Sequence, residues 1–253
     1  MMINVVMSYL IGGAYIGLLR IAKKLPQYTW TFTTEVDQKA DIVIYMNDNK
    51  HYERAKKLGV KHIIQRKTGE RSLAVPTPDD LASVICGSKK SFNYTKHAKK
   101  VLIYNGVDLD YIKTINPKPN VDLLVGEQRL GKGQRVDLAI KWATTHGRHL
   151  TCLGSGEGLA EDTYAHLKRN HPQVNWVGRV SEEEALSYIK GCSAIIISNP
   201  SHGVPNQGLE ALSMDKEIIN LAGVEIPNKE DIDLNKTADK YNQLIEEILN
   251  GRS

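Results

Sequence analysis

Residues 194–212 read AIIISNPSHGVPNQGLEAL, an apolar run that passes through small and turn-forming residues into a helical pattern. Residues 194–197 are typical of a β-strand that is covered on both faces. The proline and glycine residues that follow force a tight turn before Leu209. The sequence therefore predicts a strand, a short turn and a helix, which is the repeating unit of a parallel α/β sheet.

The turn before this helix has the properties of an anion site. Backbone N–H groups of residues 203–207 would point off the helix N-terminus, where unpaired donors and the helix dipole favour phosphate. Glu210 lies about one turn into the helix, where its carboxylate can accept hydrogen bonds from hydroxyl groups. A phosphate beside a polyol is what a nucleotide sugar presents, so the stretch predicts a nucleotide-sugar site.

Four groups of residues, the last of them part of the stretch above, match in order the motifs of one enzyme family. The matching segments are residues 101–108, 125–133 with the helix that follows, the glycine turns at 153–156 and 174–178, and 201–212. The last segment resembles the donor-site signature of GT-B glycosyltransferases of family 4. The others resemble the interdomain, diphosphate-binding and glycine-turn elements of that family. The first hundred residues carry much less of the resemblance.

The resemblance implies a fold and a reaction. The fold would be α/β of the GT-B type, with two Rossmann-like domains facing a cleft and with the N-terminal domain reduced. The reaction would be transfer of a sugar from a nucleotide diphosphate sugar, with UDP or GDP as the nucleotide. It would proceed with retention of configuration and would require neither a metal nor a cofactor.

The resemblance also implies roles for individual residues, although it names no catalytic residue. The donor diphosphate would be bound by Arg129, Lys132, Gly203, Val204 and Asn206. Glu210 would bind the ribose, His202 and Gln207 would contact the donor sugar, and Gly12 and Gly13 would form an acceptor-side loop. Two positions depart from the family pattern. His202 stands where the family has a second Glu, and Arg129 precedes Lys132 by three residues instead of five.

Charge is unevenly distributed along the chain. Residues 1–118 contain 19 Lys and Arg against 10 Asp and Glu, a net +9, and the remaining residues contain 14 against 19, a net −5. Lysine clusters are commonly a solvated surface, and the functional alternative is a surface that meets a polyanion. Together with the resemblance, the charge indicates an anionic acceptor, either a modified base in DNA or a lipid-linked or membrane-surface saccharide.

Two prolines in residues 113–121 (KTINPKPNV) are typical of a linker. On this basis we expect a basic acceptor-side domain at residues 1–118 and a nucleotide-sugar donor domain at residues 119–253. Strand and helix patterns alternate in both parts, as in Rossmann-like domains.

The N-terminus and the cysteines bear on where the protein works. Residues 3–19 are uncharged and largely apolar, but no basic segment precedes them and Gly12 and Gly13 interrupt them. They therefore predict a strand, a turn and a helix rather than a transmembrane segment. Three cysteines show no metal-binding spacing and indicate buried thiols in a reducing cytoplasm. They are Cys86, Cys152 and Cys192.

Other interpretations remain open at this point. Residues 153–158 (LGSGEG) are glycine-rich, which allows an NAD-type dinucleotide-binding oxidoreductase, although an acidic partner is missing after the next strand pattern. His202 in place of Glu allows a catalytically silent nucleotide-sugar binder. Asp108 and Asp110 form a D-x-D, which a metal-dependent GT-A enzyme would use to hold diphosphate through a cation.

Overall fold

The computed structural model of this 253-residue chain describes residues 1–8, 13–46, 48–68, 74–129, 135–155, 161–199 and 203–251. The chain divides into two compact units. One unit consists of Met1–Asp108 and Glu230–Ser253, and the other consists of Leu109–Lys229. Each unit contains a parallel β-sheet covered by helices.

The first unit contains a six-stranded sheet with the strand order β2-β1-β3-β4-β5-β6. Its elements are β1 (Met2–Val6), α1 (Gly13–Lys24), β2 (Thr29–Thr33), β3 (Ile42–Met46), α2 (Asn49–Lys57), β4 (His62–Lys67), β5 (Ser83–Cys86), α3 (Lys89–Tyr94) and β6 (Lys100–Leu102). All five residues of β3 are buried because helices cover both faces of the sheet. Ile42 and Ile44 pack with α1 on one face, and Val43 and Tyr45 pack with α2 on the other.

The second unit contains a five-stranded sheet with the strand order β11-β10-β7-β8-β9. Its elements are α4 (Leu109–Thr114), β7 (Val121–Arg129), α5 (Val136–Thr145), β8 (Leu150–Ser155), α6 (Glu161–Asn170), β9 (Asn175–Gly178), α7 (Glu182–Gly191), β10 (Cys192–Ile197), α8 (Asn206–Ser213) and β11 (Glu217–Asn220). Apolar residues of α5 form one core with β7, β8 and β10. This unit therefore has the predicted alternation of strand and helix.

The C-terminal helix shows that the predicted division at 118/119 is wrong. A 3-10 helix (Lys229–Ile232) leads into α9 (Leu234–Leu249), whose Tyr241, Ile245 and Ile248 are buried in the core of the first unit with residues of α1. The apolar stripe of α9 covers that sheet and not the second one.

The proline-containing segment is also part of a unit and not a linker. The Lys118 backbone N–H donates to the Ser187 carbonyl of α7 at 2.9 Å, and Lys190 Nζ donates to the Ile115 carbonyl at 2.6 Å. With the observed boundaries the first unit holds 20 Lys and Arg against 15 Asp and Glu, a net +5, and the second holds 13 against 14, a net −1. The difference in net charge between the two units is therefore smaller than the difference calculated with the predicted boundary.

The cysteines are buried and free, as predicted. Among the helices in the described ranges, none combines the length and the apolar character needed to cross a membrane.

Candidate functional site

The second sheet has a topological switch point between β7 and β10. These two strands are neighbours, and the chain proceeds from β7 toward β8 and β9 but from β10 toward β11 on the opposite side. In open parallel sheets, ligands bind in the crevice outside the carboxyl ends of the strands at such a reversal. The chain enters α5 after β7 and α8 after β10, so the starts of both helices belong to this edge of the sheet.

The helices that follow the two switch-point strands begin without a side-chain cap. Pro205 precedes α8 and Arg135 precedes α5, and neither side chain accepts a hydrogen bond from the helix. Where the structure describes a cap elsewhere, a side chain provides it. These capping residues are Asp48 for α2, Ser88 for α3, Ser181 for α7 and Asp233 for α9. A first turn whose N-cap residue supplies no acceptor can present backbone N–H groups to an anion.

Gln207 of α8 lies close to Gly126 of β7 at the switch point. A Cβ atom at Gly126, in β7, would lie 3.0 Å from Gln207 Cδ and 3.2 Å from Gln207 Nε2. Because glycine has no Cβ, the amide of Gln207, at the second position of α8, can lie directly on the strand. The side chain of Gln207 is therefore held at the edge where a ligand would bind.

A second glycine brings α8 close to β10. A Cβ at Gly208 would lie 2.7 Å from Val204 Cγ1 and 3.0 Å from Ile197 Cδ1. Only glycine at this position allows the start of the helix to pack on the turn and on the end of β10. The turn is thus held by packing, with no contribution from a capping side chain.

Glu210 lies about one turn into α8, as expected, but is buried. Its side chain is 5% exposed. Its backbone carbonyl accepts hydrogen bonds from Ser213 Oγ at 2.6 Å and from the Met214 N–H at 3.2 Å. A ribose hydroxyl could reach this carboxylate only through the small surface that remains.

The structure brings five of the predicted residues together at the start of α8. Gly203 and Val204 lie in the turn and are half-buried, as are Asn206 and Gln207 in the first turn of the helix, and Glu210 follows them. All five came from one local motif, so their proximity follows from the sequence.

The other predicted residues are described only in part. Arg129 ends β7 and its backbone pairs with Ser155 of β8, but its side chain lies outside the described residues. Lys132, His202 and Gly12 also lie outside the described residues. Gly13 is the first residue of α1 in the first unit.

Three residues of this edge had no predicted individual role. Gly126 makes room for Gln207, and its signal is a glycine directly after the apolar run 123–125 of β7. Ser198 and Asn199 follow β10 and are buried polar residues. Their position directly after an apolar strand pattern could have marked Ser198 and Asn199 as candidate site residues.

Two of the open interpretations meet specific obstacles in the fold. Residues 153–155 of the glycine-rich stretch end β8, one strand away from the switch point where a dinucleotide-binding turn belongs, and residues 156–158 lie outside the described residues. Asp110 of the D-x-D accepts a hydrogen bond from Lys113 Nζ at 2.9 Å. Within the described ranges, no group of three or more His, Cys, Asp or Glu side chains is arranged to hold a metal ion.

The chain has the two-sheet α/β fold of GT-B glycosyltransferases. No protein-family model matches the chain, and no curated protein sequence matches it. Solved structures do match over nearly the whole chain, at sequence identities that establish the fold alone.

Three solved structures illustrate the likeness. A glycosyltransferase from Rickettsia africae ESF-5 is 14% identical with a TM-score of 0.65, covering 98% of this chain and 88% of that one. Anabaena HepE in complex with UDP and glucose is 14% identical with a TM-score of 0.67, covering 97% and 89%. Sucrose-phosphate synthase from Thermosynechococcus elongatus is 11% identical with a TM-score of 0.68, covering 98% and 91%.

Proposed function

We propose that this chain is a glycosyltransferase that moves a sugar from a nucleotide diphosphate sugar to an anionic acceptor. The observation that carries the proposal is the start of α8 at the switch point. There an uncapped helix N-terminus, the Gln207 amide lying on Gly126, and Glu210 belong to one short segment. The fold of glycosyltransferases, one of them solved with UDP and glucose, supports the same assignment.

The proposed chemistry is stabilisation of the leaving diphosphate. Negative charge grows on the diphosphate as the sugar departs, and oriented N–H donors and cations are the groups that stabilise such charge. We assign this role to the first turn of α8 with Gly203, Val204 and Asn206, and to the side chains of Arg129 and Lys132. Retention of configuration, without a metal, is part of the proposal and rests on the resemblance to family 4.

The remaining assigned residues orient the substrates. Gln207 and His202 would contact the donor sugar, and Glu210 would accept hydrogen bonds from the ribose. Fixing the donor in this way lowers the entropic part of the barrier. Gly12 and Gly13 would belong to the acceptor-side loop, with Gly13 also the first residue of α1.

Thermal unfolding with saturating UDP, GDP or NAD tests the donor assignment. A ligand at a hundred times its dissociation constant stabilises by about 2.7 kcal/mol, which is roughly 5–10 °C for a chain of this size. We expect a shift with UDP or GDP that Glu210→Ala and Arg129→Ala both reduce. The matched control is Glu183→Ala, which removes an exposed carboxylate from α7 of the same unit. A shift with NAD alone, or no shift with any of the three nucleotides, would overturn the proposal.

The acceptor is proposed to be anionic because the first unit carries a net +5. Fluorescence anisotropy with duplex and single-stranded DNA at low and high salt tests a DNA acceptor, since phosphate contacts weaken steeply with salt. Flotation with anionic and neutral vesicles tests a membrane-surface saccharide. Binding to neither would overturn the anionic acceptor. A cytoplasmic location is part of the proposal and is supported by the three free thiols.

A further inference from the structure

Arg66 is a fully buried cation that the proposed donor site does not use. It has 0% exposure and is the largest of the fully buried side chains in the described ranges. It is the residue before the end of β4, at the carboxyl edge of the first sheet. A guanidinium removed from water must recover its lost hydration through hydrogen bonds.

The guanidinium binds two different elements of the first unit. Its Nη1 donates to the backbone carbonyl of Ala14 at 3.2 Å, in the first turn of α1. Its Nη2 donates to Asn105 Oδ1, in the segment that follows β6. One planar fork thus joins the start of α1 to the ends of two strands, as a flexible ammonium could not.

The same segment contacts α1 at two further points. A Cβ at Gly17 would lie 2.8 Å from Asn105 Oδ1, so glycine is what lets the Asn105 amide lie against the helix. Arg20 Nη1 donates to the Gly106 carbonyl at 3.4 Å. Residues 14, 17 and 20, which share one face of the first two turns of α1, therefore contact Arg66 and the 105–106 segment.

The burial of Arg66 costs free energy that its hydrogen bonds do not fully offset. Within the described part of the chain, Arg66 Nε and the hydroxyl of Tyr241 are buried without a hydrogen-bond partner. Burial raises the pKa of Tyr241, so its hydroxyl stays neutral and cannot balance the charge of Arg66. Local departures of this kind concentrate where function requires a fixed geometry.

α1 begins at the switch point of the first sheet. β1 lies between β2 and β3 in the sheet, so the chain reverses direction there and the carboxyl end of β1 is the switch point of the first unit. The helix that follows β1 is α1, and its first turn is the one that Arg66 holds.

We propose that Arg66 is a positioning residue for the transfer reaction, which it serves by fixing the first turn of α1 at the carboxyl edge of the first sheet. This inference rests on the proposed function. It assigns Arg66 an effect on turnover, through the backbone of the first turn of α1, and no direct contact with the donor.

The test compares Arg66→Met and Arg66→Lys with Lys67→Met. Lys67 is the matched control because it is the next residue of β4, is 3% exposed, and donates from Nζ to the Val75 carbonyl at 2.8 Å. Successive strand residues point to opposite faces, so Lys67 lies on the side away from α1. The readouts are kcat and KM for UDP release from UDP-glucose, and hydrogen exchange of residues 14–20.

For Arg66→Met we expect kcat to fall by about tenfold or more, with KM for UDP-glucose changed by less than about threefold. Exchange of residues 14–20 should become faster. Arg66→Lys keeps a cation but loses the fork, so we expect an intermediate kcat and faster exchange. Lys67→Met should leave both readouts close to those of the unchanged protein.

Equal effects of Arg66→Met and Lys67→Met on kcat and exchange would overturn the inference, because burial alone would then explain both. If Arg66→Met does not fold, Arg66→Lys decides in the same way. If the unchanged protein releases no UDP or GDP from any nucleotide sugar, the proposed function has failed. Exchange of residues 14–20 then still decides whether Arg66 fixes α1.

Discussion

Replacing Gly126 by Ala should displace the side chain of Gln207 without unfolding the second unit. The new Cβ would lie 3.0 Å from Gln207 Cδ and 3.2 Å from Nε2, where ordinary contacts are 3.4–4 Å. The atoms that must move belong to the end of a flexible side chain, so a shift of a few tenths of an ångström relieves the overlap. The backbone of α8 can stay where it is.

The expected change in stability is small because two effects oppose each other. Ala restricts the unfolded chain and stabilises by about 0.4–1 kcal/mol. Displacing a packed side chain costs about 1 kcal/mol, the low end of overpacking. The melting temperature should therefore change by no more than about 4 °C. Loss of one hydrogen bond from Gln207 to the sugar, about 0.5–1.5 kcal/mol, would weaken UDP-glucose binding about 2- to 12-fold.

Calorimetric titration of UDP and UDP-glucose into Gly126→Ala, Gln207→Ala and the double variant separates the causes. We expect Gly126→Ala to weaken UDP-glucose but not UDP, and to have no further effect once Gln207 is already Ala. An equal loss of affinity in both backgrounds would refute the reasoning, because the effect would then bypass Gln207.

Three other predictions concern stability and reactivity. Gly191→Ala should lower the free energy of unfolding by about 3 kcal/mol, since the Cβ would overlap the backbone carbonyl of Lys118, and an unchanged urea midpoint would contradict this. Hydrogen bonds from Arg148 lower the pKa of Asp122, so their stabilisation is present above the unfolded value of 3.8 and is lost as pH falls through the lower folded value. The stability difference between the unchanged protein and Asp122→Asn should therefore shrink as the pH falls below about 4, and a difference that stays constant over that fall would exclude this cause. Burial raises the pKa of all three thiols, that of Cys192 to about 11, so the native protein at pH 8 should react with no thiol-specific reagent until denatured.

The local patterns of the sequence were sufficient for most individual elements. The apolar run at 194–197 and the helical pattern after it correspond to β10 and α8, because a buried strand and a tight turn are specified by neighbouring residues. β6 has only three residues and no pattern distinguishes it.

Which helices and strands pack against each other was harder to predict from the sequence. The sequence of α9 specifies an amphipathic helix but not which sheet its apolar stripe covers, so the unit boundary was predicted at the wrong place. The contact between Gln207 and Gly126 joins residues far apart in sequence, and only the strand order brings them together. The residues of the start of α8, in contrast, share one motif.

Several departures from good local structure lie at the carboxyl edge of the second sheet, whereas two other left-handed residues, Asn120 and Asp215, precede β7 and β11. The departures at this edge are a glycine inside β7, the uncapped starts of α5 and α8, and Arg135 in the left-handed conformation at φ 52°. A strand glycine costs about 0.5–1 kcal/mol, a missing cap about 1 kcal/mol and a left-handed non-glycine residue about 1–3 kcal/mol. Together they are a substantial part of the 5–15 kcal/mol that holds a typical domain folded. In the described residues the caps of α2, α3, α7 and α9 are side chains, whereas the N-cap residues Arg135 and Pro205 supply none, so a phosphate bound at the first turn of α8, as we propose, would take the place of such a cap.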